Sequence, residues 1–268
     1  MSRAFSFVLV VSLLFTALPA RASFMADKYF RDGLALAQKR QWKAAVEKFE
    51  SAVRFQAVFP QAHYNLGHCY HRLKQRELAI KHYRLAIAQD KSLIEAYNNL
   101  ALLYEEMGKK SEAIALYQTA IKQLPKQSGL LCYNLGNLYF RLGKLDAAVG
   151  AYKMAAKQDP KDLDSRFNLG IVLVKLKNNA EASKVFRTIV AKEPRHVSAM
   201  FQIGLIDQRQ GDHKQAILWF RKIIAINPKL IKPIIRLAYS LKKSGDRAGE
   251  TKALQRACTL GFKPACSK

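Results

Sequence analysis

A triplet recurs down the chain at a fixed step: an alanine, an aromatic residue four positions on, and a small or apolar residue three beyond that. Ala45, Phe49 and Ala52 open the series, followed by Ala79, Tyr83, Ala86 and by Ala113, Tyr117, Ala120. It continues through Ala148, Tyr152, Ala155, then Ala182, Phe186, Ile189, then Ala216, Phe220, Ile223. Successive leading alanines stand 34, 34, 35, 34 and 34 residues apart. Twelve residues before each comes Gly33, Gly67, Ala101, Gly136, Gly170 or Gly204, and twelve after the last four come Pro125, Pro160, Pro194 and Pro228. The extra residue of the one longer step falls in the linker KQSG, near Ser128. The same step makes YNLGHCYHRL at Tyr64–Leu73 an echo of YNLGNLYFRL at Tyr133–Leu142, two repeats apart.

Each landmark suits a pair of packed helices. Small residues such as Gly67 and Ala79 let two helix axes approach at the short end of the roughly 8–10 Å range. Leu66, Tyr70 and Leu73 on one segment, and Ile80, Tyr83 and Ile87 on the next, have the i, i+3, i+4, i+7 spacing of an apolar helix face. Met107–Lys110 and Leu142–Leu145 read as the turns between the helices, and prolines such as Pro160 end the second helix.

With these offsets the chain resembles the tetratricopeptide repeat (TPR) family, whose unit is a 34-residue helix-turn-helix. The resemblance runs from Ala26 to the C-terminus, and Tyr133–Pro160 stands close to the family consensus. It implies an all-α fold, a right-handed superhelical α-α solenoid of about seven units near 26–59, 60–93, 94–128, 129–162, 163–196, 197–230 and 231–264. The last unit reads as a cap, because an end repeat has no following neighbour and drifts toward polarity. Glu250 stands there where a small residue is expected, Leu241–Arg256 is strongly polar, and Pro233 falls in the first turn of the opening helix.

The first 22 residues are of another kind. Arg3 precedes an apolar run from Ala4 to Leu18, and Pro19 leads into Ala20-Arg21-Ala22. That is the pattern of a signal peptide cut after Ala22, so the chain is expected in the periplasm or secreted, with an uncleaved membrane anchor as the alternative. Forty-five Lys and Arg against 20 Asp and Glu give a formal charge of +25. Such a balance favours acidic partners through contacts that weaken in salt, and it also suits a merely solubilising surface.

Four cysteines are present. The ending ACTLGFKPACSK is similar to the cysteine-bracketed ends of Sel1-like repeats, relatives of the TPR, and that resemblance implies a disulfide between Cys258 and Cys266. Gly261 suits a helix stop and Pro264 a restart. Closing so short a loop adds about 2.5 kcal/mol by chain entropy. Cys69 and Cys132, on first helices two repeats apart, read as buried thiols beyond bridging distance.

In the TPR family the first helices line the inner surface, where partners bind. The sixth position of repeats two to six holds Asn65, Asn99, Asn134, Asn168 and Gln202, while Arg31 and Arg236 break the series at the ends. The row resembles the asparagine ladder of peptide-binding TPR superhelices. A carboxamide offers a donor and an acceptor side by side and can pair with a peptide backbone without reading its side chains. The alternative is that asparagine packs or caps within the stack. Position five carries Phe30, Tyr64, Tyr133, Phe167 and Phe201, with Asn98 the exception, and these rings suit either ligand contact or packing. Position thirteen carries Arg72, Arg141, Lys175, Arg209 and Lys243, interrupted by Glu106, close in sequence to Glu105 and Glu95. That row is either a site for acidic groups or a solvated face.

The carboxylate clamp of co-chaperone TPR domains is mostly missing. Lys232 and Arg236 fit two of its places, but Phe167, Ile171 and Gln202 occupy the others. No serine elbow, HExxH, phosphate loop or paired CxxC occurs, so no enzyme, cofactor or small-molecule substrate is expected. His68 and His71 share a helix face with only Cys69 nearby, too few for a metal shell. Nucleic acid is not an expected partner, since stacking modules built on sheets are missing. The sequence therefore points to an exported adaptor that holds an extended or helical segment of a partner, in support of an envelope or secretion complex. The competing reading is a basic module for an anionic envelope polymer or membrane surface.

Overall fold

The computed structural model describes residues 4–266, with side chains from residue 21 onward. Those residues form fourteen α-helices and one short 3-10 turn. In chain order the helices are α1 (Ala4–Gln38), α2 (Trp42–Phe55), α3 (Pro60–Arg72), α4 (Arg76–Gln89) and α5 (Ile94–Glu106). Next come α6 (Lys110–Gln123), α7 (Gly129–Arg141), α8 (Leu145–Gln158), α9 (Leu163–Lys175) and α10 (Asn179–Lys192). The last four are α11 (Val197–Arg209), α12 (His213–Ile226), α13 (Ile231–Lys243) and α14 (Arg247–Thr259). They are the expected seven pairs, and Pro125, Pro160, Pro194 and Pro228 each lie two residues past the end of a second helix. The first helix starts at Ala4, so the stretch read as a leader and the opening helix of repeat one run as a single helix of 35 residues, and the expected cut after Ala22 falls inside it. Among the described residues no helix is long and apolar enough to cross a membrane.

The chain divides into two compact units, one ending at Leu131 and the other beginning at Cys132. Within the first, each helix from α1 to α6 packs on the next; within the second, the same holds from α8 to α14. The recurring aromatics fill the centre of each pair. Phe49, Tyr83, Tyr117, Tyr152, Phe186 and Phe220 are all fully buried. Each such ring removes apolar surface worth about 1.5–3 kcal/mol from water.

The glycines twelve residues before the alanines explain how the rings fit. A Cβ built on Gly33, Gly67, Gly136, Gly170 or Gly204 would lie 2.5–2.8 Å from a ring carbon of Phe49, Tyr83, Tyr152, Phe186 or Phe220 respectively. The ring of the second helix therefore lies flush on the bare backbone of the first. Repeat three carries Ala101 at this register.

The turn inside each pair has its own constraint. One residue per turn adopts positive φ: Arg40, Lys74, Gly108, Gly143, Lys177, Gly211 and Gly245. Reversing direction after α1, α3, α5, α7, α9, α11 and α13 requires a left-handed residue, and glycine takes it at least cost. Three repeats place Arg or Lys there instead.

At the C-terminus Cys258 and Cys266 form a disulfide, with Cα atoms 5.0 Å apart. Gly261, at φ 96°, stops α14, and the restart at Pro264 is a single 3-10 turn, Lys263–Ala265, in place of a further helix. Cys69 and Cys132 are buried and lie outside the disulfide, and burial pushes the Cys69 thiol up to about 11.

Two imidazoles meet inside repeat two. His63 Nδ1 and His82 Nδ1 are 3.1 Å apart, and His82 stacks on Tyr70, whose hydroxyl donates to Glu50 at 2.7 Å. One ring must donate and the other accept, so the contact holds only while at least one ring is neutral. Burial, first of all, lowers both imidazoles, His82 to about 4; Lys81 lowers both as well, His63 adds to the effect on His82, and Glu50 opposes it.

Three outcomes test these features. Gly170→Ala should lower stability in urea unfolding by about 2 kcal/mol, while Gly150→Ala, in mid-helix with no atom within 4 Å, should raise it by about 0.5–1 kcal/mol. Similar effects at the two sites would remove the ring-on-backbone account. Denatured, unreduced protein made under oxidising conditions should titrate two thiols; four would exclude the disulfide. Both histidines titrate lower in the folded chain than the ordinary 6.5, so their contribution is complete above that value and lost as the pH falls toward 4. The melting temperature should accordingly fall between pH 7 and 4.5, and less steeply in His82→Gln; parallel slopes would count against the pair.

Candidate peptide-binding surface

Asn65, Asn99, Asn134, Asn168 and Gln202 occupy equivalent places on α3, α5, α7, α9 and α11, and all five are half-buried. Their position follows from the period, because within each unit one register place on successive first helices recurs on the same side: Asn65 and Asn99 in the first, Asn134, Asn168 and Gln202 in the second. Several of the amide groups already work within the protein. Asn65 Nδ2 donates to the Gln61 carbonyl of its own helix at 2.7 Å. Asn99 Nδ2 donates to the Tyr64 hydroxyl of the preceding repeat at 3.1 Å. In the second unit Asn168 Nδ2 lies 3.4 Å from both the Tyr133 hydroxyl and Asn137 Oδ1. The row therefore ties one repeat to the next where a tyrosine precedes it. Phe167 offers no hydroxyl to the following repeat, and there the residue at position six is Gln202.

The rings at position five lie against the central aromatics of their own repeats. Tyr64 meets Tyr83, Tyr133 meets Tyr152, Phe167 meets Phe186 and Phe201 meets Phe220, with centroids 5.5–6.1 Å apart. Tilted pairs at such distances are favourable packing contacts. The four rings remain half-buried, so each keeps an accessible edge. Burial is the main cause that pushes the Tyr64 phenol up, which keeps it protonated.

Arg72, Arg141, Lys175, Arg209 and Lys243 are all exposed. Arg72 lies over the Trp42 ring at 5.4 Å, Lys175 over Phe140 at 4.6 Å and Lys243 over Tyr239 at 5.9 Å. Such contacts hold a cation in place while its charge stays in water. Glu106, the acid that interrupts the row, pairs with His71 Nε2 at 2.8 Å. His68 turns to the edge of Trp42, 5.8 Å between centroids, and burial lowers its imidazole, with Arg72 and His71 adding to the effect. Among the described residues no three His, Cys, Asp or Glu side chains are grouped to hold a metal ion.

Asn137 was not foreseen from the sequence; its Oδ1 accepts from Tyr152 at 2.6 Å and ties the second helix of repeat four to Asn168. Its register place holds His68, Leu102, Ile171 and Leu205 in other repeats, so no periodic signal exists. Trp42, Lys74 and Arg76 were also missed as neighbours of Arg72 and Asn99. They converge only when three repeats stack.

TPR family profiles match residues 59–126, 136–177 and 167–231. No curated protein matches the chain in sequence. Among solved structures, the C-terminal part of a TPR repeat-containing protein from Cytophaga hutchinsonii is 18% identical, with a TM-score of 0.74, over 89% of this chain and 98% of that one. YrrB, described as a TPR protein with an unusual peptide-binding site, is 21% identical with a TM-score of 0.59, over 69% and 96%. MamA from Desulfovibrio magneticus is 20% identical with a TM-score of 0.56, over 67% and 98%. Likeness at these identities shows the fold, and together with the profile matches and the seven helix pairs it makes this chain a member of the tetratricopeptide repeat family, with that family's protein-interaction scaffold fold.

Proposed function

We propose that the chain is an exported scaffold that binds an extended or helical segment of an acidic partner along its first helices, in support of an envelope or secretion complex. TPR repeats generally bind peptides or proteins, and YrrB, of related fold, is described as having an unusual peptide-binding site. The observation that carries the reading is the pairing of two rows at fixed register. Half-buried carboxamides and ring edges lie at positions five and six, and exposed cations lie at position thirteen. The internal bonds of Asn99 and Asn168 show that the carboxamides also serve packing, so the exposed cations are the cleaner place to interfere.

The export reading rests on the composition of residues 1–22, and the disulfide agrees with an oxidising compartment. A second reading has its own support: the same exposed cations, with a net charge of +25, suit an anionic polymer or membrane surface.

Crosslinking and pull-down of the mature chain from its native compartment distinguishes the two. Reversing Arg141, Lys175 and Arg209 to Glu should reduce recovery of a protein partner several-fold and leave a residue that survives physiological salt. Complete loss of binding, with wild-type capture that vanishes between low and physiological salt, would favour the polymer or membrane reading. Capture of no protein by the wild type would end the scaffold reading.

A further inference from the structure

A cleft of about 580 Å³ opens in the first unit between the start of α2, helix α3 with its following turn, and α5. Its walls divide by chemistry. Trp42 and Leu102, the latter 37% exposed, supply apolar surface. Arg72, Lys74 and Arg76 supply three cations, against the single carboxylate of Glu106, which is already taken by His71. Arg76 is also the first residue of α4, and Gln75 before it gives that helix no side-chain cap, so the positive end of the helix lies beside the cleft. His68 and His71 also line the cleft, and Asn99 links it to the carboxamide row.

We infer that this cleft takes one internal acidic side chain of a partner segment, held by Arg72, Lys74 and Arg76, with the adjacent apolar or aromatic side chain lying against Trp42 and Leu102. This rests on the scaffold reading and names the partner's chemistry at one place. The volume suits one or two side chains. Two arginines match the planar, two-oxygen geometry of a carboxylate. The exposed face of Leu102 has no polar role and gains only by being covered. Glu106 sets a limit on composition: a second acid next to the first would approach a carboxylate, so an acidic neighbour is disfavoured, and Trp42 and Leu102 favour an apolar one.

The chain has two tryptophans, Trp42 and Trp219, so Trp219→Phe leaves Trp42 as the only indole and a reporter inside the cleft. The probe is an acetylated and amidated pentapeptide with one glutamate beside one phenylalanine and no terminal charge. It should change Trp42 fluorescence saturably. Replacing the peptide's glutamate by glutamine, or Arg72 by Gln in the protein, should weaken binding about tenfold, with circular dichroism showing the fold retained. Arg76→Gln serves as a second variant should Arg72→Gln loosen Trp42. No saturable change, an equal response to the glutamine peptide, or a response only to inorganic polyphosphate would overturn the inference. Partner capture that survives in Arg72→Gln/Arg76→Gln would overturn it while leaving the scaffold reading in place.

Discussion

The close seating of an aromatic ring on a bare stretch of helix backbone governs the rest of the molecule. In five of the pairs the second helix approaches closely because Gly33, Gly67, Gly136, Gly170 or Gly204 leaves room for Phe49, Tyr83, Tyr152, Phe186 or Phe220, while repeat three seats Tyr117 with Ala101 at that place. That contact fixes the separation and rotation of the two helices, because a ring 2.5–2.8 Å from a hypothetical Cβ admits no sliding. Once pairs are fixed, their faces stack by apolar burial, and the first helices present one register place after another. The carboxamide and cation rows are consequences of that regularity. They need no further instruction in the chain.

Asn99 donates to the hydroxyl of Tyr64, and Asn168 reaches Tyr133, so part of the row that resembles a peptide ladder also joins neighbouring repeats. The cations differ. Arg72, Lys175 and Lys243 rest on aromatic faces and keep their charge in solvent.

What the sequence made legible follows from locality. The triplets, the glycines and the prolines act within one repeat, and the 34-residue step multiplied their signal until the helix pairs could be read by position. Cys258 and Cys266 sit close in the chain and were read from resemblance. Contacts made by side chains outside the periodic pattern were not legible. Nothing in the order of residues says that His63 meets His82 at 3.1 Å, or that Asn137 ties Tyr152 to Asn168, because those contacts depend on rotamers and on side chains that occur once. The cleft around Trp42 belongs to the same class, since its walls come from three repeats.

Lysine at the left-handed place of a turn costs about 1 kcal/mol or more relative to a relaxed backbone. Arg40, Lys74 and Lys177 carry that burden while four sister turns use glycine. At Lys74 the strained residue also lines the cleft. Relaxing that loop and keeping its positive charge are incompatible aims, since the only residue at ease there has no side chain to offer. Arg40 and Lys177 carry the same backbone cost outside that cleft, so the geometry of the turn sets the strain and the cleft only shares one of its residues.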